Sequence, residues 1–284
     1  MSLCDQACPL TRGRRDPHMM VMSETDTSTQ IIRDAGTLIV VRRRSDGPPL
    51  LLMTERAATL RFAGGAMVFP GGAVDEADRD FARSLGRSSD PAVVEDLAVR
   101  IAAIRETIEE CGLALVAHAD GLSRDHGEAA RRALLEGAGL AAVIAAFGLN
   151  FDFAGLVPFA RWCPHSEKVP RRFDTRFYIA VIGEDVGDLR PDGRETTDLG
   201  WYSAREMLDR AERGEARIIF PTRCNLERLA RFETVEALLD HARAQPVRLI
   251  SPWIEMRDGE EHLCIPQDHG YPVTSRPLSQ MPRG

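Results

Sequence analysis

The chain has 284 residues, 44% of them hydrophobic and 28% charged, enough to bury a full core and ordinary for a soluble globular protein. A formal net charge of −7 provides no overall basic field, which argues against nucleic acid as the main partner. The six cysteines (Cys4, Cys8, Cys111, Cys163, Cys224 and Cys264) form neither a C-x-x-C pair nor a Cys/His cluster at zinc spacing, so free thiols in a reducing cytoplasm are expected.

Residues 1–30 read as a disordered tail without the apolar segment of a signal peptide. "AGTLIVVRR" (35–43) is a β-branched run, "DGPP" (46–49) a turn, and "LLLMTER" (50–56) a returning strand. A glycine-rich stretch follows (57–75), with the short apolar strand "AMVF" inside it. From Pro91 to Cys111, Val94, Leu97, Ala98, Ile101, Ile104 and Ile108 recur at helical spacing and define a buried stripe. Residues 125–149 are alanine-rich and helical in character, and 155–164 and 171–182 return to strand. Residues 196–215 read as strand, turn and helix, and 221–245 as helix after a proline. In 253–265, Asp258-Gly259 is a turn signal between two alternating runs, which predicts a β-hairpin. No apolar run reaches the length of a membrane span. Strands and helices interleaved in this order favour an α+β fold built as one domain over 31–284.

One turn of the 91–111 helix stands out. "RETIEECG" (105–112) carries Glu106, Glu109 and Glu110, and the i, i+3, i+4 rule puts all three on one side. Each like-charge pair costs a few tenths of a kcal/mol. Gly112 marks the end of the helix, where the macrodipole also disfavours anions. On the helical wheel the three lie beside the apolar stripe, where ligands facing a cleft belong. A bound cation accounts for such crowding.

"FPGG" (69–72) followed by "RETIEECGL" (105–113) resembles the box of the Nudix hydrolase family, G-x5-E-x7-R-E-U-x-E-E-x-G-U. Arg105, Glu106, Glu109, Glu110, Gly112 and Leu113 match, and Thr107 stands at a usually aliphatic position. The isolated acidic position falls on Asp78, with Asp75 and Glu76 as alternatives, and residues 79–104 intervene where the compact box has far fewer. Upstream, "LMTERAATLRFAGGAMVFPGG" (52–72) is similar to the motif of the coenzyme A diphosphatase branch, with Thr54, Arg56, Ala57, Arg61, Gly65 and Phe69 to Gly72 in register. The interrupted box resembles the longer branch that includes a mammalian peroxisomal enzyme.

The resemblance implies an α/β/α sandwich with a mixed sheet, insertions near 79–104 and 118–150, and a C-terminal helical and hairpin extension from about 221. It implies Mg²⁺ or Mn²⁺ held by Glu106, Glu109 and Glu110, with Glu106 either a ligand or a partner of the base. Arg105 is expected to orient a box carboxylate, and the Gly71-Gly72 backbone to approach the site. Arg56 and Arg61 are candidates for substrate phosphates. Asp198 is a further candidate ligand or base, with a solvated strand-end carboxylate as the other reading. The basic cluster Arg161, Lys168, Arg171 and Arg172 suits a 3′-phosphate or is simply a solvated loop.

The implied reaction is hydrolysis of the diphosphate of coenzyme A or an acyl-coenzyme A to 3′-phosphoadenosine 5′-phosphate and (acyl-)4′-phosphopantetheine. The alternatives are another nucleoside-diphosphate derivative (ADP-ribose, NADH or a dinucleoside polyphosphate) and a non-catalytic ligand sensor on the same fold. A cytoplasmic location, no nucleic acid or membrane partner, and a chain free to form a homodimer complete the expectation.

Overall fold

The computed structural model describes residues 32–60, 63–115, 124–164, 172–184, 186 and 189–281. In chain order the elements begin with β1 (Ile32–Arg42), β2 (Leu50–Arg56), β3 (Ala66–Val68), β4 (Gly71–Ala73), α1 (Glu76–Ser84), α2 (Pro91–Cys111), α3 (Arg124–Leu135) and α4 (Leu140–Phe147). There follow β5 (Val157–Trp162), β6 (Arg172–Ile182), β7 (Thr196–Tyr202), α5 (Ala204–Glu212), β8 (Arg217–Ile218), α6 (Phe220–Leu229) and α7 (Val235–Ala244). The last are β9 (Leu249–Ile250), β10 (Trp253–Arg257), β11 (Glu260–Cys264), β12 (Ser275–Pro277) and a 3₁₀ turn at Leu278–Gln280.

Alternation along β1 sets the architecture. Leu38 and Val40 enter one core, Ile39 and Val41 the other, and all four are fully buried. β2 repeats the pattern with Leu52 on one side and Leu51 and Met53 on the other, as does β6 with Tyr178 and Ala180 against Phe177 and Ile179. Period-2 side chains on a central sheet therefore feed two cores. α1 to α4 close the first, through Ala82, the α2 stripe, Ala130, Leu134, Leu140 and Val143. α5, α6 and α7 close the second, through Met207, Leu208, Leu226, Leu229 and Leu238. The result is the expected α/β/α sandwich. Its mixed sheet runs β8-β3-β2-β1-β6-β5-β9, with β4 beside β1 and β7 beside β2. β1 pairs with β6 in parallel along its whole length and with β4 antiparallel at Ala35, Gly36 and Thr37.

α2 carries the acidic turn, and its ends are fixed locally. Asp90 accepts the N–H of Ala92 at 2.9 Å ahead of Pro91, and Gly112 ends the helix at φ +70°, returning its N–H to Ile108 at 2.8 Å. The expected stripe is buried except at half-buried Val94, and Val99, Ala102 and Ala103 are buried as well. The reason is close approach to β1. A Cβ at Gly36 would lie 2.2 Å from the carbonyl oxygen of Val99, so only glycine lets α2 settle there.

Several boundaries differ from the sequence reading. Residues 79–104 are largely helical, α1 running out and α2 returning. α1 was not foreseen because EADRDFARS is mostly charged and offers the core only Phe81 and Ala82. The helical region 125–149 divides into α3 and α4 at Gly137 (φ +97°) and the extended Gly139. The 221–245 helix divides after Leu229, and Thr234 caps α7 by accepting the N–H of Ala237 at 3.2 Å. Asp258 and Gly259, both at positive φ, close the β10–β11 hairpin as expected, and β12 extends it to a three-stranded sheet. Among the described residues no helix is long and apolar enough to cross a membrane.

Candidate active site

The Phe69-Pro70-Gly71-Gly72 turn leads into β4 and lays its backbone between β1 and the end of α2. Gly71, at φ +154°, is crowded by Gly36, whose carbonyl oxygen would lie 2.4 Å from an added Cβ. At Gly72 a Cβ would fall 2.4 to 2.6 Å from the carboxylate of Glu106. The N–H of Gly71 reaches Glu110 Oε2 at 3.3 Å. Two bare backbone positions thus face two of the three glutamates.

Arg105 is the hub of the turn. Its Nε donates to Asp78 Oδ1 at 3.0 Å and its Nη2 to Asp78 Oδ2 at 2.9 Å, and Nη2 also donates to the carbonyl of Ala73 at 2.9 Å. Its Nη1 donates to Glu106 Oε1 at 2.7 Å and to Glu109 Oε1 at 3.3 Å. The guanidinium fork suits this double engagement of carboxylates. Arg105 thus meets two box carboxylates where the sequence reading expected it to orient one. Arg105 folds back along α2 and offsets part of their repulsion. Asp78, fully enclosed, accepts the N–H of Asp75 at 2.9 Å as well. Of the three acidic candidates ahead of α2, Asp78 meets Arg105 in hydrogen bonds, Asp75 stands 3.7 Å from it, and Glu76 turns away to Arg83 at 2.7 Å.

One guanidinium does not balance this site. Burial, with the charge of Glu109 adding to it and Arg105 opposing, raises Glu106 to about 7. Burial also lifts Glu109. Glu110 is pushed well above the usual carboxylate range, first by burial and then by the charges of Glu106 and Glu195, against the pull of Arg56 and the Gly71 N–H. Arg105 itself is held charged: its hydrogen bonds to Asp78 and the surrounding carboxylates outweigh the effect of burial. Among the described residues no three Asp, Glu, His or Cys side chains already converge as a metal cage. The donor set is nonetheless all oxygen, poor in compensating charge, and opened by the missing Cβ of Gly72, which suits a hard divalent cation.

Two residues here were not anticipated, Arg131 and Glu195. Arg131, from α3, donates to the carbonyls of Glu109 and Glu110 at 2.9 Å each and to that of Arg190 at 2.7 Å, satisfying the C-terminus of α2. Glu195 brings its charge to Glu106 and Glu110, and its carbonyl takes the N–H of Ala57 at 2.8 Å, which anchors it beside Arg56. Asp78 was one of three candidates, and the contact with Arg105 singles it out. Of the two unanticipated residues, Glu195 alone had a sequence signal, an acid just ahead of a strand.

The other candidates are more scattered. Asp198 is exposed on β7 opposite Glu55, its Oδ1 taking the N–H of Leu199 at 2.9 Å. Arg56 ends β2, with its charge acting on Glu110. Arg161 is engaged by Asp174 at 2.6 and 2.8 Å. Arg172 opens β6. Arg61, Lys168 and Arg171 lie outside the described residues. Trp201 packs against the first core under the guanidinium of Arg42, 4.6 Å from its ring.

The family model of the NUDT19 Nudix domain matches residues 80–229. The acyl-coenzyme A diphosphatase NUDT19 of Gallus gallus is 26% identical over 275 residues, covering 78% of this chain and 72% of that protein. Its Homo sapiens counterpart is 27% identical over 277 residues, with the same coverage of 78% and 72%. A crystal structure of a NUDIX hydrolase from Alicyclobacillus acidocaldarius is similar with a TM-score of 0.63 and 31% identity, covering 75% of this chain and 97% of that one.

Proposed function

Because the chain belongs to the Nudix hydrolase family, in the group of the NUDT19 Nudix domain, we propose that it hydrolyses the diphosphate of coenzyme A or an acyl-coenzyme A. The products are 3′-phosphoadenosine 5′-phosphate and (acyl-)4′-phosphopantetheine, and the reaction depends on Mg²⁺ or Mn²⁺. The observation that carries this reading is the packing of Glu106 and Glu110 against the Gly71-Gly72 backbone, beside the strand that ends in Arg56. The coenzyme A part is supported by the names of the Gallus gallus and Homo sapiens relatives and by the upstream motif from Leu52 to Gly72.

We assign Glu106, Glu109 and Glu110 to holding the divalent ion. Bound there, the ion neutralises diphosphate charge and makes water a better nucleophile. Arg105 orients Glu106 and Glu109 and is itself braced by Asp78. Arg56 and Arg61 meet the phosphates, and the Gly71-Gly72 backbone lets the diphosphate approach. Glu195, rather than Asp198, is the carboxylate we assign to accepting the proton of the attacking water, because its charge already bears on Glu106 and Glu110. We take 31–284 as one catalytic domain with a C-terminal extension from about 221. The four described cysteines are free and buried, which supports a reducing compartment such as the cytoplasm.

The test is turnover of coenzyme A and acyl-coenzyme A by purified protein with Mg²⁺ or Mn²⁺, beside ADP-ribose, NADH and a dinucleoside polyphosphate. Release of 3′-phosphoadenosine 5′-phosphate that stops on chelation is the expected result. Preferred turnover of another substrate overturns the coenzyme A assignment and keeps the hydrolase.

A further inference from the structure

The C-terminal sheet has an edge that nothing among the described residues covers. Its order is β10-β11-β12, so β10 is an outer strand with one side of its backbone unpaired. Trp253, Ile254 and Met256 are 43%, 55% and 62% exposed, and Glu255 between them is exposed too. Both faces of β10 therefore stand in solvent. Just ahead of it, Val247 and Leu249 are exposed as well. β10 itself holds no proline, lysine or bulge, Pro252 standing just ahead of it and Glu255 and Arg257 being its charged residues. An exposed edge of this kind is a template for another strand.

The hairpin fixes which groups are free. Arg257 and Glu260 flank a two-residue turn and face each other across it. In such hairpins the flanking pair exchanges both hydrogen bonds, and narrow and wide pairs then alternate along the ladder. Arg257, Glu255 and Trp253 consequently turn their N–H and C=O groups toward β11. Ile254 and Met256 turn theirs outward.

We propose that β10 pairs antiparallel with β10 of a second copy of this chain, about a two-fold axis at Met256. In that register Met256 exchanges both hydrogen bonds with its own counterpart, and Glu255 lies opposite Arg257 of the second copy on each side of the axis. The charges are complementary to themselves only in this arrangement. Centring the axis on Glu255 would instead set two glutamates face to face, which is destabilising. Within one chain Glu255 and Arg257 already meet at 3.0 Å, so pairing only exchanges their partners. Ile254 and Met256 share the other face of the strand, where the two copies join their apolar side chains into one strip. The arrangement is isologous and closes as a dimer rather than growing into a fibre.

The test is the mass of the full chain in solution, by light scattering after size exclusion and by sedimentation equilibrium. The wild-type chain is expected at twice the chain mass and to dissociate on dilution. Met256→Lys should halve the mass while leaving circular dichroism, melting temperature and turnover unchanged. Glu255→Arg alone and Arg257→Glu alone should each shift the equilibrium toward monomer, and the two together should restore the dimer. A wild-type chain that is monomeric throughout, or a dimer that survives Met256→Lys, overturns the proposal. Failure of the double reversal to restore the dimer overturns the Met256-centred register.

Discussion

Asp78 and Arg105 meet as a two-bonded pair, 3.0 Å and 2.9 Å between donor and acceptor, although 27 positions separate them in the chain. Both side chains are buried, so this contact closes the outward excursion of α1 and the first turns of α2. Asp78→Asn should leave Arg105 charged without its main counter-charge. A cost of about 3 to 5 kcal/mol is expected for breaking one side of a buried pair. Urea unfolding checks the stability, and turnover should fall with it because Glu106 and Glu109 lose the group that orients them.

Glu110→Gln separates folding from function. Burial disfavours its ionised form, against the pull of the Arg56 charge and the Gly71 N–H. The metal-free variant should therefore be as stable as the wild type or more stable by a few tenths of a kcal/mol. Metal-dependent turnover should disappear. Unchanged turnover with Mg²⁺ or Mn²⁺ would remove Glu110 from the metal site.

Gly36→Ala and Gly72→Ala should fail in different ways. At Gly36 the new methyl meets the backbone of Val99, which cannot yield, so α2 must lift from β1, at a cost of about 1 to 3 kcal/mol or more. At Gly72 it meets the end of the Glu106 side chain, which can swing aside. Thermal melting should drop chiefly for the first, and turnover at unchanged fold chiefly for the second.

His241 carries a pH dependence that can be isolated. Its Nε2 accepts from Arg228 Nε at 3.1 Å, which requires a neutral ring. Burial, then the charges of Arg228 and Arg231, lower its pKa below the ordinary 6.5. The unfolded chain thus takes up the proton more readily than the folded one. The contribution is present above pH 6.5 and is lost as pH falls through 6.5 toward the lower folded value. His241→Gln keeps an acceptor that does not titrate. Unfolding free energies at about pH 7.5 and about pH 5.5 should show a smaller drop for the variant than for the wild type.

The sheet strands and α2 were legible because their signals are local: β-branched runs, a helical stripe, a proline start and a glycine stop. Glu106, Glu109 and Glu110 stood out because like charges crowded on one turn oppose folding. Arg105 was legible as an orienting group, but not its second engagement with Asp78, which depends on how α1 returns. Arg131 was invisible for the same reason. It lies on a separate helix, and only tertiary packing brings it to the carbonyls of Glu109 and Glu110. The breaks between α3 and α4 and between α6 and α7 were missed where helical composition continued across a glycine or a capping threonine.

The parallel pairing of β1 with β6 carries a consequence for biogenesis. Ile32 pairs with Arg172 and Arg42 with Ile182, so the most buried strand of the sheet waits for a partner made far later in synthesis. Until β6 emerges from the ribosome, Leu38, Ile39, Val40 and Val41 have no parallel neighbour to cover them. Loop-closure entropy must be met before that pairing rewards it, which makes the central ladder a slow step. Nascent chains halted before β6 should therefore be held by chaperones or aggregate, and chains released just after it should begin to resist proteolysis.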